Sequence, residues 1–438
     1  MLNDTRERIY SVLVRHLSTP FYGRIYALML SSVLLSGFGI AYWIVAAHLY
    51  SPATLGRNSA AISAMTFLAG VASLALSTVV IRFVPAAGSQ TRTLVLVSYV
   101  IIIASSTIAA AIFLAGVNLW APHLGFLVDD PTLLIFFVLA TVSWNVFLLQ
   151  DDVLTGLGQA RWVPFENGVY SVAKIGLLVF LATRAAPYGI LASSTIPAML
   201  AVLPVNILVL TRFIPRHSAQ TADRAAPIRL RRLAPFAVGG YLGRLFYMAS
   251  ITLLPIIVVE RFGATATAYV YLPWTVAVAL LTLSTTIQTS LTIQGAHDEE
   301  NLLAHTRQAL LSSIRLFGPP TVLILLGAPY FLSVFGGSYA AEGSTLLRLL
   351  VLGSIPAAIT LVYMGVCQVR QRMDIIVGFQ AILTMALLSL TWILLPVEGV
   401  TGVGIAWVLC QSAAAAAVLV GPLRASWLPM RYRRPAPS

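Results

Sequence analysis

Twelve long apolar runs constrain this chain more than any other feature of its sequence. Each run holds about 20 or more mainly apolar residues, the length that an α-helix needs to cross about 30 Å of hydrocarbon. Only 10% of the 438 residues are charged, whereas a soluble chain carries roughly 25%. The sequence therefore predicts an all-α polytopic membrane protein with about twelve transmembrane helices. The runs lie near residues 25–49, 58–84, 93–116, 132–154, 162–183, 188–213, 236–259, 268–292, 308–333, 343–368, 374–395 and 399–423.

The distribution of arginine between the loops predicts the orientation of the chain. With the N-terminus inside, twenty arginines fall in cytoplasmic segments and three, Arg57, Arg184 and Arg261, fall in outer segments. Loops rich in Lys and Arg stay on the cytoplasmic side of a membrane. We therefore expect both termini in the cytoplasm. The heavy use of Arg and Ala is typical of a GC-rich bacterial genome, so the expected location is the bacterial cytoplasmic (inner) membrane.

Several function classes are disfavoured by what the sequence contains. The net charge of +12 would suggest nucleic acid in a soluble protein, but here it follows from the arginines that flank the spans. The sequence has no HExxH or Walker A motif and no Ser/His/Asp order, so we expect no enzyme activity. Cys367 and Cys410 lie inside apolar runs and are interpreted as small buried hydrophobes. No metal site and no cofactor is expected.

Short sequence echoes predict an internal repeat of six helices plus six. Thr-Leu-Leu at 132–134 returns at 345–347, and Leu-Ser-Thr at 76–78 returns at 283–285. The set Gly, Gln and Arg at 156, 159 and 161 returns at 365, 368 and 370, and Gly-Ile at 189–190 returns at 404–405. Both halves would start on the same side, as in transporters that rock two bundles around a midplane site. The predicted units are an N-terminal six-helix bundle at 1–213 with an interfacial segment at its start, a cytoplasmic linker at 214–235, a C-terminal six-helix bundle at 236–423 and a cytoplasmic tail at 424–438.

Four basic residues are candidates for binding an anionic substrate. A charge at the centre of a bilayer costs at least about 2.5 kcal/mol on insertion scales and is therefore a candidate functional residue. Lys174 lies about nine residues from the outer end of its span, with a buried ion pair to Glu166 or Asp152 as the alternative. Arg244 and Arg315 lie seven or eight residues inside their spans, and either could instead extend to the cytoplasmic surface. Arg24 lies nearer the end of its span and could lie at the cytoplasmic entrance of a substrate pathway.

The acidic residues near the membrane fall mainly around one cytoplasmic turn. Asp151, Asp152 and Glu166 flank the turn that contains Arg161. They could form a local charge cluster that closes the hairpin. Alternatively, Asp152 and Glu166 could bind a proton or cation whose movement is coupled to transport. A polar run at 284–290 could line a pathway, although Ser and Thr more often bond to their own backbone.

These features resemble the O-antigen-type oligosaccharide flippases. Residues 49–56 (LYSPATLG) and the Ala/Leu-rich helix that follows to Arg82 are similar to the first hairpin of that family. The Gly-x-x-Gln-x-Arg turns and the two Gly-Ile pairs given above are similar to the same pattern. The family belongs to the multidrug/oligosaccharidyl-lipid/polysaccharide exporter (MOP) superfamily. The resemblance implies two six-helix bundles around a central cationic cavity.

The resemblance also implies a function and a set of partners. Such a protein would export a lipid-linked glycan from the inner to the outer leaflet by alternating access, for synthesis of a cell-surface polysaccharide. Its partners would be that anionic lipid-linked oligosaccharide, membrane lipids and other glycan-assembly proteins. Lys174, Arg244, Arg315 and Arg24 would bind the phosphorylated headgroup. The alternatives are a drug or organic-cation antiporter of the same superfamily, a membrane-embedded glycosyltransferase or polymerase, and a non-transporting scaffold for glycan assembly.

Overall fold

The structure is a computed structural model that describes residues 37–221 and 230–421, except for the side chains of 230–237, Leu283 and His297. Arg24, the predicted interfacial segment and the predicted tail at 424–438 lie outside the described residues.

The described first half of the chain consists of helices joined by short connections. Two of these helices begin with clear sequence signals. Ser51 caps α2 by accepting a bond from the Thr54 amide at 3.3 Å, and Asp130 caps α5 by accepting one from Thr132 at 2.8 Å. Each cap is followed by proline, which suits the first helical position because its missing N–H has no partner there. The helices are α1 (Gly37–Leu49), α2 (Pro52–Ala72), α3 (Leu76–Phe83), α4 (Thr91–Ala115), α5 (Pro131–Gly156), α6 (Trp162–Thr183), α7 (Gly189–Leu208) and, after a π-helical turn at Val209–Phe213, α8 (Ile214–Thr221).

The second half opens with a helical hairpin that turns at one glycine. The helical run Leu230–His297 contains Gly263, whose φ of 78° and ψ of 179° are not helical. Trp274 donates to the carbonyl of Ile251 at 3.2 Å, which shows that the segments on either side of Gly263 fold back on each other. The sequence had predicted a loop of eight residues there. The helices are α9 (230–262), α10 (264–297), α11 (Leu302–Ser333), α12 (Gly337–Val369), α13 (Met373–Glu398) and α14 (Thr401–Val420).

The helices confirm the predicted all-α polytopic architecture. In the described part of the chain, nine helices are long and apolar enough to cross a membrane, or ten if the pair α2–α3, bent by 55°, is one span. One of the nine is the 59-residue run Val238–Ala296, which contains the hairpin of α9 and α10. Large apolar side chains such as Val100 (66% exposed) and Leu326 (77% exposed) point away from the core. Such outward apolar faces are expected where lipid replaces water.

Several equivalent helix starts in the two halves differ by nearly the same number of residues, which supports the predicted repeat. Starts at 52 and 264, 162 and 373, and 189 and 401 differ by 212, 211 and 212 residues. The Thr-Leu-Leu echo, with its offset of 213, agrees with this register. Starts at 131 and 337 differ by 206 residues, and ends at 183 and 398 differ by 215. The echoes with offsets of 207, 209 and 215 lie within this range, so their residue pairings stay predictions.

We name the two ends of the helical bundle after a residue near each end, Ser51 and Arg161. The Ser51 end holds the connections at 50–51, 116–130, 184–188, 334–336 and 399–400, and is predicted to be outer. The Arg161 end holds those at 84–90, 157–161, 298–301 and 370–372, and is predicted to be cytoplasmic.

The two halves pack closely at the Ser51 end. Gly56 of α2 lies against Ala264, and a Cβ added at Gly56 would lie 1.7 Å from the Ala264 carbonyl oxygen. The Trp43 and Tyr271 rings meet edge to face with centroids 4.7 Å apart. His123 bonds to Glu260 through its backbone amide and its ring, each at 3.0 Å. The structure therefore has the two halves in contact on the predicted outer side.

Candidate functional site

A cavity with a mixed polar and apolar lining lies within the second half of the chain, toward the Arg161 end. It has a volume of about 680 Å³ and is lined by α9, α10, α12 and α13. We call it the Arg244 cavity, because Arg244 is the one charged residue among its described lining residues. Ligand sites of drug-sized molecules occupy about 300–1,000 Å³, so the cavity can hold a headgroup of one or two sugars. Its polar lining consists of Arg244, Tyr247, Thr285, Gln288, Thr289, Thr292, Gln368 and Gln380.

The lining is held in place by close helix contacts and local hydrogen bonds. A Cβ on Gly243 would come within 2.8 Å of Ile376, so glycine allows α9 to approach α13. The Thr292 hydroxyl donates to Gln368 at 3.1 Å and links α10 to α12. Thr285 and Thr289 donate their hydroxyls to carbonyls of the preceding turn. The polar run at 284–290 therefore both lines a cavity and satisfies its own backbone.

Arg244 is exposed in the cavity and lies beside the junction of the two halves. Its guanidinium interacts electrostatically with Asp152 of α5, which also interacts with the hydroxyl of Ser77 on α3. Within the described residues, ion pairs of 4.0 Å or less join His123 to Glu260, His305 to Asp298 and Arg372 to Asp374. Arg244 forms none of these close pairs, so the hydrogen-bond donors of its guanidinium are available to a ligand while Asp152 offsets part of its charge.

Lys174 is held by aromatic rings in the first half. Its Nζ lies 4.6 Å from the ring centre of Tyr42 and 5.2 Å from that of Tyr170. Cation–π contacts of this kind stabilise a desolvated ammonium by about 2 kcal/mol. Both phenols are fixed, since Tyr42 donates to the Ile190 carbonyl at 2.8 Å and Tyr170 to that of Ser194 at 2.9 Å. No ion pair to Glu166 or Asp152 forms among the described residues, so the alternative of a buried ion pair was wrong.

The structure does not place the four basic candidates together. Lys174 is on α6 of the first half, whereas Arg244 lines the cavity of the second half. Arg315 is exposed on α11, about 200° around the helix from the buried Ser313, on the face away from the core. We therefore leave Arg315 out of the site. Arg24 lies outside the described residues.

A buried polar network connects three helices of the first half near the Arg161 end. Gln150 of α5 is fully buried and donates to Glu166 of α6, which is 6% exposed. Asn206 of α7 in turn donates to Gln150. In the next turn Asn167 donates to Asp151 at 3.0 Å. One oxygen each of Glu166, Asp151 and Asn206 is buried without a partner in the described structure, which leaves acceptors for a proton or a cation.

This network replaces the predicted charge cluster around Arg161. Arg161 is exposed and belongs to none of the described ion pairs, while Glu166 and Asp151 bond to side-chain amides. Sequence reasoning missed Gln150 and Asn206. Both residues could have been recognised in the sequence as amide side chains inside apolar runs. Burying an amide in lipid costs free energy unless the amide is hydrogen-bonded. Among the described residues no three His, Cys, Asp or Glu side chains cluster as metal ligands.

Comparison with solved protein structures identifies the fold of this chain, whereas comparison of sequences does not. No protein-family model and no curated protein matches the sequence. An inward-facing multidrug resistance MATE family transporter of the MOP superfamily superposes with a TM-score of 0.69 over 90% of this chain and 95% of its own, at 15% identity. The lipid II flippase MurJ, in an inward closed conformation, gives 0.69 over 91% and 88%, at 13% identity. The chain has the two-lobed fold of these transporters.

A third solved structure is informative about binding pockets. A MOP superfamily transporter from Pyrococcus furiosus, described as having a binding pocket of reverse polarity that suggests a different function, gives a TM-score of 0.59 at 14% identity, over 93% of this chain and 96% of its own. The polarity of the pocket therefore differs between proteins with this fold. In proteins with this fold, the residues that line the binding pocket, rather than the fold itself, determine which ligand the pocket accepts.

Proposed function

We propose that this chain is a transporter that moves a lipid-linked, phosphate-bearing glycan from the inner to the outer leaflet by alternating access, for synthesis of a cell-surface polysaccharide. The observation that carries the proposal is the Arg244 cavity, which combines hydroxyl and amide side chains with one guanidinium that forms no ion pair of 4.0 Å or less with another described residue. Guanidinium binds phosphate through two parallel hydrogen bonds. Hydroxyl and amide groups supply the donors and acceptors that sugar hydroxyls need.

The contacts between the two halves support entry from the Arg161 end. They close the Ser51 end at Gly56, Trp43 and His123 and extend inward to Val71, whose carbonyl accepts from Tyr241, so a headgroup would reach the Arg244 cavity from the Arg161 end. Rocking of the halves would then open the Ser51 end. An inside-negative potential favours outward movement of negative charge by about 2.3 kcal/mol per charge per 100 mV.

The competing function is an organic-cation antiporter. A carboxylate is the strongest partner that a protein offers to an organic cation, and the described lining of the Arg244 cavity has none. Asp152 lies nearby but interacts with Arg244. The cavity therefore fits an anion better than a cation.

Reconstitution separates these functions. Proteoliposomes that contain the purified chain are expected to translocate a fluorescent lipid-diphosphate oligosaccharide, measured by loss of a label accessible to an outside reagent. Protein-free vesicles and a phosphatidylcholine analogue are the controls. Transport of an organic cation such as ethidium, with no movement of the lipid-linked sugar, would instead establish the antiporter.

Replacing Lys174 by methionine is expected to slow this translocation about fivefold. Methionine keeps the length and the contacts with Tyr42 and Tyr170 but removes the charge. Rocking of the halves would bring the phosphate within about 15 Å of the ammonium, a separation at which two unit charges attract each other by about 1 kcal/mol at an effective dielectric of 20, or about fivefold in rate. An unchanged translocation rate at equal protein abundance would show that Lys174 has only a structural role.

Glu166 is the proposed coupling residue, with Asp152 as the second candidate. Glu166→Gln is expected to abolish the stimulation of translocation by a pH gradient, because glutamine resembles the protonated acid and keeps the bond to Gln150. The control is Glu342→Gln, an exposed carboxylate of α12. If the response to a pH gradient persisted in Glu166→Gln but was lost in Asp152→Asn, the coupling residue would be Asp152, which lies near Arg244, and not Glu166.

A further inference from the structure

A second polar pocket lies at the Arg161 end of the first half, away from the Arg244 cavity. It has a volume of about 180 Å³ and lies between the α5–α6 turn and α8. The transport proposal does not use it. We call it the Arg161 pocket. Its lining consists of Leu157, Gln159, Arg161, Phe213, Arg216, His217 and Gln220.

The pocket is built by two unusual backbone segments. On one side, Gly158 has a φ of +72°, and the Gln159 amide donates back to the Leu154 carbonyl at 2.8 Å, which ends α5 and turns the chain toward Arg161. On the other side, the π-helical turn Val209–Phe213 redirects the chain into α8. π-Helical turns of this kind often mark functional sites. Arginines 55 positions apart in sequence therefore converge on one concavity.

The polar groups of the pocket favour an anion. Arg161 and Arg216 are exposed and belong to none of the described ion pairs, and the described lining contains no acid. Gln159 and Gln220 add amide donors. His217 is committed elsewhere, because its Nε2 bonds to the Val84 carbonyl at 3.0 Å and must be the donor in that bond. Two guanidinium groups and two amides are a donor set suited to phosphate.

The floor of the pocket indicates a lipid rather than a soluble anion. Leu157 and Phe213 are 5% and 7% exposed, and the ring of Trp162 lies 5.8 Å from that of Phe213. The pocket thus has an apolar base, built on the ends of three spans, beneath a basic rim. Basic pockets between membrane helices on the cytoplasmic side bind anionic lipid headgroups.

We propose that the Arg161 pocket binds the phosphodiester of an anionic inner-leaflet phospholipid. The positive-inside rule alone would place arginines at this end, but it does not require them to converge on a pocket. The lipid would tie the α5–α6 turn to α8. The turn connects α5 to α6, and α8 continues from α7 through the π-helical turn. Since α5, α6 and α7 carry Gln150, Glu166 and Asn206, the bound lipid would stabilise the packing of the polar network.

The test measures lipid binding to the purified full chain in nonionic detergent by native mass spectrometry. The probes are dioleoyl phosphatidylglycerol, dioleoyl phosphatidylcholine and inorganic phosphate. The wild type is expected to bind phosphatidylglycerol at least tenfold more tightly than phosphatidylcholine. Arg161→Gln with Arg216→Gln is expected to remove that preference. The matched control is Arg307→Gln with Arg370→Gln, which takes two exposed charges from the same end of the second half and should change binding less than twofold.

Three results would overturn the proposal. They are equal losses in the two double variants, an equal affinity of the wild type for both lipids, and inorganic phosphate that binds as tightly as phosphatidylglycerol. Should the double variant fail to fold, Arg216→Gln alone leaves the α5–α6 turn intact and is expected to weaken phosphatidylglycerol binding about tenfold. Unchanged binding in that single variant would also overturn the proposal.

Discussion

Replacing Arg244 by glutamine is expected to lower the rate of headgroup translocation by about tenfold to a hundredfold. A hydrogen bond to a charged group contributes about 1.5–3 kcal/mol, and each 1.4 kcal/mol corresponds to a factor of ten. Arg244 is the one charge among the described residues that line the cavity, so no neighbouring guanidinium there replaces it. Glutamine keeps hydrogen-bonding capacity and removes the charge. The measurement is the initial rate of labelled lipid-diphosphate oligosaccharide movement in proteoliposomes.

Arg315→Gln is the matched control for that experiment. It removes the same charge at a similar depth and in the same half, but from the exposed face of α11. Its translocation rate is expected to stay within twofold of the wild type. Equal losses in both variants would mean that overall positive charge, rather than the Arg244 cavity, attracts the substrate.

The architecture was predictable because burial in lipid leaves a strong sequence signal. A span needs about 20 apolar residues, so the helices could be predicted without knowledge of side-chain packing. The orientation given by the arginines stays a prediction. Finer features of the fold, such as bends between helices, depend on side-chain packing and could not be predicted from the apolar runs. The bend between α2 and α3 places Leu74 and Ala75 at φ values of 46° and 63°, in the left-handed region where glycine is the usual residue. Neither residue is glycine, so no local sequence pattern predicted that bend.

Side-chain partners were harder to predict than the helices that carry them. For Lys174, a candidate for binding an anionic substrate, the alternative prediction was a buried ion pair to Glu166 or Asp152, because a buried charge needs compensation. Two tyrosine rings compensate it instead, and Tyr42 lies 132 positions away in sequence. Glu166 likewise bonds to Gln150, and through it to Asn206. These contacts depend on how helices rotate against each other, which periodicity in an apolar run does not fix.

Replacing Gly56 by alanine is expected to open the Ser51 end and to slow translocation. The added Cβ would lie 1.7 Å from the Ala264 carbonyl oxygen and 2.7 Å from its carbon. Both are backbone atoms beside the turn at Gly263 and cannot rotate away. Overpacking of this kind costs about 1–3 kcal/mol, which shifts the equilibrium between closed and open Ser51 ends by about fivefold to 150-fold. Bonds between His123 and Glu260 would be lost together with the contact.

Spin labels on cysteines at Leu119 and Phe262, which are exposed on opposite halves near the Ser51 end, report this opening as a longer distance. Gly378→Ala is the matched control, because a Cβ there meets no atom within 4 Å. In a helix, alanine in place of glycine is stabilising by up to about 1 kcal/mol, so the control should keep the wild-type distances and rate. An unchanged distance distribution in Gly56→Ala would show that α2 and α10 separate without moving the halves. The close approach at Gly56 would then be local packing, and closure of the Ser51 end would depend on the aromatic and His123–Glu260 contacts alone.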